Sequence, residues 1–166
     1  MRYILIILAF ICSSCVFQPL YKSADANFAN QLAAIEIMPI EFKASKIFVR
    51  QLDKKLNPLN LNINKKYKLQ VSINSSDDNS FVREDSFIQQ VDTTFNVVYK
   101  LTDAKGLLIA NNNFTYESSY KTSDSSYATY VNDNYNYEIS LKHLAEQLKS
   151  RLIIDISNYC HNENCT

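Results

Sequence analysis

Two hydrophobic periods divide the chain between Ala33 and Ile156. Tyr67, Leu69, Val71 and Ile73 alternate with Lys68, Gln70, Ser72 and Asn74, a period of two that predicts a half-buried strand. Val91, Phe95, Val97, Tyr99 and Leu101 stand against Asp92, Thr94, Asn96 and Lys100 in a second, longer strand. Asp103-Ala104-Lys105-Gly106 predicts a hairpin turn, its glycine placed where a left-handed backbone is needed. Leu108, Ala110, Phe114, Tyr116 and Tyr120 mark the returning strand. A shorter strand is expected over Ala33–Ile40, stopped near Pro39, which cannot donate to a ladder. Asn74 to Asp85 reads as a polar loop.

The other period is helical. Phe48, Leu52 and Leu56 recur every fourth residue, with Val49 beside them, predicting a helix from a Ser45 cap to about Asn57; Pro58 stops it. Tyr137, Leu141, Leu144, Leu148, Leu152 and Ile156 predict a last helix, capped at Asn132 or Asp133. Lys121 to Asn132 reads as a Ser/Thr/Tyr-rich connection, and Val16 to Asn30 as a polar-aromatic leader. One apolar stripe per helix and one apolar face per strand predict an α+β fold. It is a two-layer sandwich of about four strands, mostly antiparallel or mixed, with two helices on one face. The other face is expected to be polar and tyrosine-rich, covered by solvent or a partner. No internal repeat and no domain boundary is visible.

Ahead of this domain, Ile4 to Ile11 is an unbroken apolar run between Arg2 and Cys12-Ser13-Ser14-Cys15. It is about half the roughly 20 residues that cross a bilayer as a helix, and its basic start and small-residue end are those of a secretory signal. With Ser14 before it, Cys15 resembles the modified cysteine of a bacterial lipobox; an ordinary cleaved signal or a short buried strand are the alternatives. Two or more acyl chains hold a protein at a membrane where one does not, so a triacylated Cys15 would anchor the chain without a transmembrane helix. Removing residues 1–14 leaves 152 residues, enough for one domain with a core. It also leaves 16 basic against 17 acidic side chains. That balance gives no footprint for nucleic acid and no polybasic block for a charged membrane surface.

The stretch Cys15-Val16-Phe17-Gln18-Pro19-Leu20-Tyr21 resembles the mature start of the LptE family of lipopolysaccharide-assembly lipoproteins, with Val16 at a position where glycine is usual. Tyr99-Lys100-Leu101-Thr102-Asp103, Ser119-Tyr120-Lys121-Thr122-Ser123, Ser126-Tyr127-Ala128-Thr129-Tyr130 and Leu144-Ala145-Glu146-Gln147-Leu148 continue the likeness in order, as far as about Ile156. The chain is accordingly expected to divide into a lipoprotein signal over 1–14 with lipid attachment at Cys15, a leader over 15–30, an LptE-like α/β domain over 31–157 and a cysteine-containing tail over 158–166, the tail being unusual for that family. The resemblance implies a two-helix, four-stranded sandwich that sits as a plug in the LptD β-barrel of the outer membrane. Such a plug helps the barrel assemble and assists lipopolysaccharide transport to the outer leaflet.

The chemistry expected is that of binding. A single glycine rules out glycine-rich phosphate loops and the Gly-x-Ser-x-Gly elbow. His143 and His161 are the only histidines, and a structural His143 is expected rather than a general base. Neither catalysis nor a cofactor is expected, and an envelope hydrolase or another lipid-anchored transporter accessory are the alternative functions. No metal is expected either, although Asp77-Asp78-Asn79 and Cys160-His161-Asn162-Glu163-Asn164-Cys165 carry ligand-type residues. Arg83, Lys100 and Lys121 flank the long strands and are candidate contacts for lipopolysaccharide phosphates. Tyr116, Tyr120, Tyr127 and Tyr130 are candidate barrel contacts, since tyrosine suits a surface part wet and part apolar. Cys160 and Cys165 could pair in an oxidising periplasm, or lie in a frayed tail.

Overall fold

The computed structural model describes residues 25–82, 88–122 and 125–163. The elements run α1 (Asp25–Ala33), β1 (Ile35–Ile37), α2 (Ser45–Leu56), β2 (Tyr67–Val82), β3 (Ile88–Asp103), β4 (Leu108–Lys121) and α3 (Ser126–Glu163). They form the expected α+β sandwich. One four-stranded sheet has the order β1-β2-β3-β4; β1 is parallel to β2, and the other pairs are antiparallel. α2 and α3 pack on one face of the sheet and on each other.

Alternation decides which side chains meet the helices. Leu69, Val71, Ile73, Phe95, Val97, Tyr99, Leu101, Ala110 and Phe114 are buried beneath them. From α2, Phe48, Leu52 and Leu56 point down; from α3, Leu141, Leu144, Leu148, Leu152 and Ile156 are each fully buried. Burying one such side chain is worth about 1.5–3 kcal/mol. The β3–β4 hairpin closes as the sequence requires: Gly106 adopts φ +87°, and Asp103 Oδ1 accepts from Lys105 N at 2.8 Å and Leu107 N at 2.7 Å.

Four local expectations fail, each for a physical reason. Asn74–Asp85 is not a loop as far as it is described, because β2 continues to Val82 paired with β3, in unbroken register to Asn79 and with register shifts beyond it. A polar antiparallel ladder needs no apolar face to close its hydrogen bonds. Asp77 and Asp78 therefore point to opposite faces and cannot share a cation. The last helix starts at Ser126, not beside Asn132 or Asp133. Ser125 holds its start, Oγ accepting from Ala128 N at 3.4 Å and its carbonyl from Thr129 N at 2.9 Å. No glycine or proline interrupts the segment, so helix anchored by the leucine spine extends through it. α1 occupies part of the expected leader; nine residues make a marginal helix alone, and packing sustains it, with Leu32 and Ala33 buried. Ser45 is the first helical residue of α2 rather than its cap: Ala44 holds the cap position without a side-chain bond.

Candidate partner-binding surfaces

The sheet's second face has no layer over it among the described residues. Register places its side chains in rows across three strands: Gln70, Lys100 and Asn111; Ser72, Val98 and Asn113; Asn74, Asn96 and Thr115. The next rows are Ser76, Thr94 and Glu117, then Asp78, Asp92 and Ser119. Apart from the exposed Val98, the centre is an uncharged belt of amides and hydroxyls, tied across strands by Thr115 Oγ1 donating to Asn96 Oδ1 at 3.0 Å. From Lys100 to Asp92 the belt runs eight residues along β3, about 26 Å at 3.3 Å per residue. Its ends carry opposite charge. Lys68 and Lys100 are diagonal neighbours at one end, while Asp78, Asp92 and Glu117 gather at the other, with Lys121 beyond them opposite Gln90.

The expected tyrosines are absent from this face among the described residues. Tyr67, Tyr99, Tyr116 and Tyr120 all occupy the alternate positions, which point toward the helices. Tyr99 is buried, and its hydroxyl donates to Asp155 Oδ2 at 2.7 Å while Asn112 Nδ2 donates to Asp155 Oδ1 at 3.3 Å. Burial, then the Asp155 bond, pushes the Tyr99 phenol up to about 12. This contact ties β3 to the last turns of α3, where Arg151 also stacks over Phe114 at 4.6 Å. Tyr116 is half-buried between Phe95 and His143, ring centroids 6.2 and 6.5 Å away. Tyr120 borders a polar cavity of about 430 Å³ between the sheet and the first half of α3. There it neighbours the Asp133 carboxylate, and burial followed by that carboxylate pushes its phenol up to about 12. Thr93 Oγ1 donates to Asp77 Oδ1 at 2.7 Å and Ser140 Oγ to Ser118 Oγ at 2.7 Å in the same cavity.

The candidate residues therefore separate. Lys100 and Lys121 share the outer face but lie at opposite ends, about 33 Å apart along the sheet; Arg83 is outside the described residues. Tyr116 and Tyr120 belong to the interlayer packing. Tyr127 and Tyr130 are exposed on the first turns of α3, with Val131 and Tyr135. Cys160 is half-buried near the end of α3, and Gln31 Nε2 approaches its Sγ at 3.6 Å; Cys15 and Cys165 lie outside the described residues. Lys68 was overlooked in the sequence. Alternation gives its direction, but only the β2–β3 register brings it beside Lys100.

The fold and its bare face define a class: a small two-layer sandwich with one sheet surface uncovered among the described residues. Solved structures of bacterial lipoproteins share the fold. A lipoprotein from Caulobacter crescentus CB15 superposes with TM-score 0.65 at 22% identity, covering 81% of this chain and 98% of that one. Rare lipoprotein B from Shewanella oneidensis gives 0.60 at 8% identity over 75% and 97% of the two chains. A minor lipoprotein from Acinetobacter baumannii gives 0.56 at 16% identity over 74% and 92%. No family model matches the chain, and no curated protein matches its sequence.

Proposed function

We propose that this chain is an outer-membrane lipoprotein, anchored through acyl chains on Cys15, that plugs an LptD-type β-barrel, assists its assembly and takes part in lipopolysaccharide transport to the outer leaflet. The observation that carries the reading is the outer sheet face, a belt of neutral side chains, all but Val98 able to hydrogen-bond, bounded by opposite charges. The lumen of a transmembrane barrel is polar, and such a belt can exchange its water for lumen side chains without stranding a buried charge. The fold shared with bacterial lipoproteins supports an envelope role, as does the lipobox-like Cys15. Lys68 and Lys100 form a cation pair suited to a glycolipid phosphate, with Lys121 a separate contact at the far end. Tyr127 and Tyr130 offer part-wet, part-apolar barrel contacts on α3.

Affinity purification of the full chain from envelope membranes tests this reading. A large heat-modifiable barrel should co-purify, and mass spectrometry should find Cys15 triacylated and N-terminal. An unmodified Cys15 thiol, or a lone monomer without a barrel, contradicts it. Turnover of esters or glycans by that lone protein would favour a hydrolase instead.

A further inference from the structure

A different edge of the sheet has no strand beside it among the described residues. β1 is three residues long, and Glu36 stands opposite Lys68. Tyr67 N donates to Ala34 O at 3.2 Å and Met38 N to Leu69 O at 2.9 Å. In a parallel ladder this register directs residues 34, 36 and 38 at β2, and turns the N–H and C=O of Ile35 and Ile37 away from the sheet. Lys65 covers only the first part of that edge, its Nζ donating to Ala33 O at 2.8 Å and Ile35 O at 2.9 Å. Both outward groups of Ile37 are without a hydrogen bond among the described residues. α2 flanks the same edge, and a groove of about 640 Å³ lies between them. Its floor is Ile35, Ile37, Ile40 and Val49; Lys46 and Arg50, one turn apart on α2, stand exposed at its border. Neither cation has an ion pair among the described residues. Counting Lys65, the border carries three cations against the carboxylates of Glu36 and Asp53.

We infer that this groove is a strand-addition site, which takes an extended segment of a partner polypeptide, apolar at its centre and acidic at its flanks, as a fifth strand beside β1. The apolar floor alone would also suit an acyl chain. The Ile37 main chain decides between them. A hydrocarbon would strip water from its N–H and C=O and return nothing, at about 1–3 kcal/mol for each group left unsatisfied. A polypeptide backbone replaces both bonds, while alternate side chains reach the floor. The unpaired Lys46 and Arg50 select acidic flanks. This site is separate from the outer sheet face and does not depend on the barrel proposal.

The probe is the peptide acetyl-DTVTVTD-amide, titrated into the isotopically labelled full chain in lipid nanodiscs. Saturable amide shifts should centre on Ile35, Ile37 and the α2 flank, with Ile37 amide exchange slowed roughly tenfold at saturation. Charge reversal by Lys46→Glu with Arg50→Glu should weaken the peptide roughly tenfold. Ile37→Pro deletes an outward N–H that β2 does not use; it should weaken binding similarly while the circular dichroism spectrum is kept. Replacing the central threonine of the peptide by proline should abolish binding. The inference is overturned if no saturable shift appears at Ile37 up to about 1 mM peptide, the weak end of specific affinity. It is overturned equally if lysophosphatidylglycerol fills the groove and displaces the peptide, which makes it an acyl site. Sedimentation of the free chain as a dimer that Ile37→Pro dissolves would give the edge to a second copy instead.

Discussion

The two faces of one sheet follow opposite rules. On the inner face every strand residue from Leu69 to Ile73 and from Phe95 to Leu101 that points toward the helices is apolar and buried. Its few polar groups are tied down, as Tyr99 is to Asp155. On the outer face the same sheet presents Gln70, Ser72, Asn74, Asn96, Val98, Asn111 and Asn113, all exposed. The inner face supplies stability and needs nothing more. The outer face contributes little to folding; apart from Val98 its centre carries uncharged amides and hydroxyls, the composition that the proposed contact with a polar lumen calls for.

Substitutions can break that contrast. The largest effect is expected at the leucine spine: Leu148→Ala opens a cavity beneath α3 and should destabilise the fold by about 2–5 kcal/mol in denaturant unfolding. Next comes the inner polar tie. Tyr99→Phe removes the hydroxyl bonded to Asp155, a loss of about 1–2 kcal/mol. It also changes the alkaline limb. Tyr99 and Tyr120 both ionise near 12 in the folded chain against an ordinary 10. Their contribution is complete below pH 10 and is lost as pH rises from 10 through 12, because the unfolded phenols release their protons first. Tyr99→Phe and Tyr120→Phe should each flatten stability against pH in that window.

Smaller still is the bridge between the helices, where Lys55 Nζ pairs with Glu146 Oε2. The Lys55 bond, and less so Lys149, holds the Glu146 carboxyl below its ordinary 4.5. Its stabilisation is present above that value and fades as pH falls below it. Both partners are partly exposed, so Lys55→Gln should cost less than about 1 kcal/mol. Smallest is the outer face itself: Val98→Ser should change stability by no more than about 0.5 kcal/mol.

The inner face was legible in the sequence because burial enforces a period. Tyr67 to Ile73, the Phe48 stripe and the spine from Leu141 to Ile156 could be placed from spacing alone, and Gly106 marked its own turn. What spacing could not give was register. Lys68 meets Lys100, and Lys121 stands far from both, only once β2 is slid against β3 and β4. The polar half of β2 and the first turns of α3 lacked an apolar stripe, and so resembled loop. The tyrosines misled for a related reason: Tyr116 and Tyr120 look amphipathic in sequence, but their hydroxyls and rings are used between the layers, by His143 and Asp133.

The most direct test of the account replaces Asn96 and, separately, Asn113 by a photo-crosslinking amino acid in cells. Both lie mid-belt on the outer face. Irradiation should join each to one large, heat-modifiable β-barrel protein. A folded, lipidated chain that gives no barrel adduct from either position would contradict the claim that this face is completed by a partner.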